Sequence, residues 1–214
     1  RRSSYIVGSM ALALCFGAHL VAVRRGMFFI DAVALVAAFA GLTLALGGWA
    51  VLRRQAFPLG YLALAIPLPI LERWTPGLAQ WVAQSAAALA KPVGVPALVQ
   101  GARLILPSCE LVVGAPCSGV NSLAALVTMG TLYAFLVRGP IAARVSLILI
   151  GAQYALAKNL ARVFLLLVLA AHAGAELALR YFHDWSGLLL FVLAVGLLIL
   201  VGRLLGCDGI RSDI

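Results

Sequence analysis

Charge is scarce in this chain: its 214 residues carry 7 acidic and 16 basic side chains, so only 11% are charged. Soluble domains run at about 25%. The shortage excludes a water-facing surface over most of the chain. Histidine is limited to three residues and cysteine to four, and no two cysteines stand in a CxxC spacing. Neither the ligand spacing of a zinc site nor the partners of a disulfide framework are present, so no metal and no cofactor is expected. The formal net charge is +9, yet the basic residues stand singly or in pairs between apolar runs. That scatter excludes a nucleic-acid footprint and fits membrane flanks. Internal repeats and low-complexity segments are also missing.

What is present is apolar. Hydrophobic residues make up 64% of the chain, and the mean hydropathy is +1.09. A helical crossing needs roughly 20 apolar residues. Uncharged runs near that length recur at 3–23, 32–52, 55–71, 74–90, 120–137 and 185–202. The expected fold class is an all-α polytopic membrane protein with six to eight transmembrane or interfacial helices. Residues 3–23 have basic flanks at both ends and are expected to be a retained helix rather than a cleaved signal.

Along the chain, helices are expected at about 5–23 and 28–52, separated by Arg24-Arg25 and closed by Arg53-Arg54. Pro67 and Pro69 should break the next segment. Residues 78–91 carry Gln80 and Gln84 on one helical face and are expected to lie in the interface. Residues 92–116 hold four prolines and three glycines, with "ARLIL" and "CELVV" as two short extended pieces. This reads as an ordered extracytoplasmic loop ahead of the helix that bears Cys117. Helices then resume at 118–137, at 141–171 as one long element interrupted at Lys158-Asn159 and Arg162, with two short crossings over 141–157 and 159–173 as the alternative, and at 185–205. The division is 1–55, N-terminal helices, and 56–214, a catalytic membrane core, within one integral membrane domain.

Helical rise places the polar groups on the two membrane faces. Cys117 to Arg138 covers about 31 Å, one hydrocarbon thickness, and Arg162 returns about 33 Å to the face that Cys117 occupies. A last helix leaving that face sets His183 at its mouth. The far face collects Arg138, Arg144, Arg203 and Arg211, whereas the Cys117 face mixes Arg103 and Arg180 with Glu110, Glu176 and Asp184. Basic residues in short flanks stay in the cytoplasm, so Cys117 faces outward.

Cys117, in "GAPCSGVNS", is expected in the first turn of its helix, where the helix dipole lowers a thiol's pKa. Ser118 and Gly119 keep its approach open. A small buried thiol is the plainer reading of Cys117 alone, as for Cys15 and Cys207, and Cys109 reads as a free strand residue. Arg162, one turn after Lys158 in "KNLARVFLL", is a permanent cation at membrane depth and so a functional candidate, with snorkelling as its rival. Asn159 shares its face and could bind substrate or hold the guanidinium. Of the three histidines His183 is favoured, since it opens a helix on the site face where Asp184 could cap it; His172 is the rival. A thiolate nucleophile, a histidine for proton transfer and an arginine for the oxyanion form an acyl-transfer set.

In their order, "FPLGYLALAIPLP", "VGVPALVQGARLILPSCELVVGAPCSGVNSL", "NLARVFLL" and "FHDWSG" resemble the exosortase/archaeosortase family, membrane cysteine transpeptidases. The similar part runs from about residue 57 to 205. The resemblance implies that Cys117 is the nucleophile, Arg162 the stabilising arginine, Asn159 its neighbour and His183 the family histidine. It further implies substrate proteins of the PEP-CTERM kind, ending in a short motif, a transmembrane helix and a basic tail. Cleavage at the outer face of the cytoplasmic membrane would pass the new C-terminus to an acceptor that the sequence does not name. The alternatives are a non-enzymatic transporter or assembly factor, with Arg162 and Lys158 lining a pathway, and a simple intramembrane protease.

Overall fold

The computed structural model describes residues 2–66, 69–207 and 209–211, with the side chains of residues 2, 3, 70, 116, 179, 181, 183 and 184 outside that description. In chain order it contains α1 (Arg2–Arg25), α2 (Phe28–Arg54), α3 (Ala56–Ala63), α4 (Pro69–Ala90), β1 (Leu98–Gln100), β2 (Arg103–Ile105), β3 (Glu110–Val112), α5 (Val120–Leu136), α6 (Ile141–Ala173), α7 (Ala175–Leu177) and α8 (His183–Leu204). Ser4–Arg25, Phe28–Arg54, Ile141–Ala173 and Trp185–Leu204 are each long and apolar enough to cross a membrane. The protein is a multi-pass, all-α membrane protein carrying one small sheet.

The chain divides into two compact units, Arg1–Leu71 and Glu72–Ile214. In the first, α1 and α2 form a hairpin that depends on small residues: a Cβ on Gly8 would stand 2.5 Å from the Ala45 amide nitrogen, so only glycine admits this approach. His19 and Asp31 pair across the hairpin at 2.5 Å. The single helix expected over 28–52 is kinked at Gly48, whose φ of 73° lies where glycine alone is unstrained. The break expected at Pro67 falls outside the described residues.

The helix α4 begins at Pro69 rather than near Leu78, and from Glu72 onward it belongs to the second unit. Its residues Ala79, Val82, Ala83, Ala86, Ala87 and Ala90 are buried, a stripe at helical spacing, while Gln80 and Gln84 are exposed on the other face. The stripe packs on Leu104 and Leu111 of the sheet and on Val163, Leu166, Leu167 and Ala170 of α6. The sheet is an antiparallel meander in the order β1-β2-β3. Its first hairpin pairs Gln100 with Arg103 around Gly101, φ 63°. Two of its strands match the extended pieces read from sequence; β1 is additional.

The 33-residue α6 is continuous, about 50 Å at helical rise. It is the frame of this unit. Its first half crosses α5 closely, a Cβ on Gly151 standing 3.4 Å from the Leu126 carbonyl oxygen, and Leu126 and Ala155 cluster with Ala194 of α8. Its second half belongs to the α4–sheet core. The far ends of α5 and α8 are tied: Val137 bridges Ile210, the Arg138 N–H donates to the Gly209 carbonyl at 3.1 Å, and the Arg211 N–H donates to the Leu136 carbonyl at 2.8 Å. Arg138, Arg203 and Arg211 therefore share one end of the bundle, and Arg144 joins them by donating to the Ala134 carbonyl.

Candidate active site

Cys117 lies at the end opposite that arginine cluster. It ends a single 3₁₀ turn, Ala115–Cys117, rather than opening α5. Ser118 and Gly119 separate it from the helix, and Gly119, at φ 95°, is the residue before the first turn of α5. The Cys117 amide is spent on the Gly114 carbonyl at 2.9 Å. The helix-end activation expected from sequence is thus corrected, because the chain reverses at Gly119 before α5 begins. Burial pushes the Cys117 thiol up from its ordinary value, and the Arg162 charge pulls against that rise.

Asn159 of α6 fixes the turn. It is 1% exposed, and its Nδ2 donates to the Cys117 carbonyl at 2.8 Å. Its Oδ1 is buried with no hydrogen-bond partner among the described residues, an arrangement that costs about 1–3 kcal/mol. Gly119 exists for this contact. A Cβ there would stand 3.0 Å from Asn159 Nδ2 and 3.2 Å from its Cγ. Ser118 is fully buried, and its hydroxyl donates to the Ala115 carbonyl at 2.8 Å and accepts from the Val120 N–H at 3.4 Å. Ser118 and Gly119, expected to line an open approach, are instead the packed framework of the turn.

Arg162 follows Asn159 by three residues on α6 and is half-buried. Its Nε donates to Ser186 Oγ on α8 at 3.1 Å, and the guanidinium lies beside Gly187, with Nη2 3.8 Å from where a Cβ would sit, an ordinary contact distance. Ser186 is the residue that sequence reasoning missed, although its signal is present in "HDWSG", three positions after His183. His183 opens α8, on the turn that meets Arg162; its side chain lies outside the described residues, as does that of Asp184. His172 is exposed at the end of α6 with Nδ1 against the Val168 carbonyl at 2.9 Å, and His19 is held by Asp31. Lys158 is 8% exposed, with Nζ 5.5 Å from the Phe191 ring centre on α8. None of the four cysteines is in a disulfide. Among the described residues no three metal-ligating side chains gather.

Three elements therefore meet at one end of the bundle: the Cys117 turn, the middle of α6 and the first turn of α8. A transmembrane exosortase family model matches residues 1–200. The chain belongs to the transmembrane exosortases. Membership carries a membrane transpeptidase role in general terms, acting on protein substrates. The match takes in α1 and α2, which the motif resemblance had left outside. No curated protein and no solved structure matches this exosortase.

Proposed function

We propose that this exosortase cleaves C-terminal sorting signals of exported proteins at the outer face of the cytoplasmic membrane and transfers the new C-terminus to an acceptor. The observation that carries the reading is that one helix serves both ends of the chemistry. Asn159 holds the Cys117 turn, and Arg162, one turn on, acts on the Cys117 thiol while bound to the first turn of α8.

Cys117 is the nucleophile. Its half-buried thiol rests protonated, so it needs a base, and His183 takes that proton as substrate binds. The thiolate forms a bond to the scissile carbonyl carbon, and Arg162 stabilises the developing oxyanion. The C–N bond breaks, and the leaving amine takes the proton from His183. The thioester is then resolved by the acceptor's nucleophile, or by water. Asn159, with Ser118 and Gly119 packed beside it, holds the turn that carries Cys117. The substrate carries a short motif, a transmembrane helix and a basic tail. The arginine-rich opposite end supports a cytoplasmic location for that end, with Cys117 outside.

The test co-expresses an exported reporter ending in such a signal. Cys117→Ala abolishes its shortening, and mass spectrometry of the new C-terminus separates transfer from hydrolysis. Unchanged shortening by the variant refutes the assignment.

A further inference from the structure

We propose that the outer edge of β3 is the docking rail for the substrate, whose extended segment beside the scissile bond joins the sheet as a fourth strand. The proposal rests on the peptidase reading above and adds to it the place and conformation in which the substrate is held.

Ladder parity carries the argument. The Leu106 N–H donates to the Cys109 carbonyl at 2.8 Å and the Val113 N–H to the Ala102 carbonyl at 2.9 Å. With Leu104 opposite Leu111, these set the hydrogen-bonded pairs of the β2–β3 hairpin. Backbone groups of successive strand residues turn to opposite sides. Those of Leu111 therefore face β2, and those of Glu110 and Val112 face away from it. β3 is an edge strand. Among the described residues nothing pairs with the Glu110 N–H, the Glu110 carbonyl or the Val112 N–H, whereas the Val112 carbonyl accepts from Gly114 at 2.9 Å. Such a row is a template for an added strand.

The occupant follows from what lies next along the chain. β3 runs through Val113 and Gly114 into the turn bearing Cys117, a reach of at most about 17 Å. A peptide paired along β3 is thereby delivered to the thiol. Attack also requires an extended substrate, because a helix engages its carbonyls in its own hydrogen bonds. Unwinding the substrate at its cut site costs those bonds, and the β3 edge replaces them. On the face away from the core, Val112 is 61% exposed, and Glu110 is held by Arg103 at 2.9 Å. Cross-strand pairing then favours an apolar substrate residue beside Val112.

The experiment uses full-length protein in membranes and an exported reporter, ending in motif, apolar helix and basic tail, that the wild-type enzyme shortens. In a Cys117→Ala background, a photo-crosslinking amino acid at Val112 captures the reporter, and the same group at Leu98, on the opposite edge strand, does not. Equal capture at both positions, or none at Val112, overturns the proposal. In the active enzyme Val112→Pro deletes an N–H that faces away from β2, so the hairpin survives and shortening falls about tenfold, the loss of one hydrogen bond to substrate. Val112→Ala keeps the N–H and loses only the apolar contact to substrate, so shortening falls less, about threefold. Equal losses in the two variants overturn the proposal, and where Val112→Pro fails to fold the crosslinking arm decides. If Cys117→Ala still shortens the reporter, the underlying peptidase reading fails first and takes this proposal with it.

Discussion

Gly119→Ala tests how the Cys117 turn is held. Gly119 sits at φ 95°, a region that costs an alanine about 1–2 kcal/mol. The new methyl would stand 3.0 Å from Asn159 Nδ2, 3.2 Å from Cγ and 3.4 Å from Cβ, so the amide must move. Moving it breaks the bond to the Cys117 carbonyl, worth about 1 kcal/mol. The expected loss is about 2–3 kcal/mol. Asn159→Ala alone loses the same bond and costs about 1 kcal/mol. The double variant loses that bond only once, so its cost falls short of the sum by about 1 kcal/mol. Reversible unfolding in mixed detergent–SDS micelles measures all three. Additivity to within about 0.3 kcal/mol would refute the argument, since it would mean that a methyl at position 119 does not displace Asn159 from the Cys117 carbonyl.

Arg162→Lys keeps the charge but loses the planar fork and the Nε donor to Ser186, so reporter shortening should fall on the order of a hundredfold; a wild-type rate contradicts the role given to the guanidinium. Ser186→Ala removes the acceptor on α8 and should slow shortening about three- to tenfold with little change in expression. Burial raises the Cys117 pKa and Arg162 lowers it, so the thiol is mostly protonated near neutrality. Its alkylation should therefore accelerate as pH rises, with an inflection above that of an ordinary cysteine. Arg162→Gln should move the inflection higher still, and a shift to lower pH counts against the electrostatic coupling. Leu167→Ala, at a fully buried core position, should cost about 2–5 kcal/mol by the same unfolding measurement.

The long helices were legible because length and hydropathy alone decide a crossing, and the sharing of one end by Cys117 and Arg162 followed from helical rise. Three features were not. The run "VFLLLVLAA" after Arg162 had no evident neighbour, because its partners are the alanine stripe of α4 and a sheet distant in sequence. β1 was hidden since "PALVQ" is too short to show an alternating pattern, and it forms only by pairing with β2. Cys117 was expected at the start of α5 because proline commonly opens helices. The left-handed Gly119 overrides that preference, and its signal, a glycine two residues after the cysteine, has meaning only once Asn159 is known to press on it. Ser186 was invisible for a similar reason, as a buried serine declares itself by its partner.

The 33-residue α6 is longer than the hydrocarbon layer by some 20 Å. Asn159, and with it the Cys117 turn, is moored about 27 Å along that rod from Ile141. In the proposed reaction Cys117 thus stands at a set height, close to the edge of the hydrocarbon layer, and the enzyme acts as a ruler. A cut made at constant altitude dictates how many residues separate a substrate's scissile bond from its own membrane anchor. Lengthening that spacer should then move the position of cleavage along the substrate rather than its distance from the lipid.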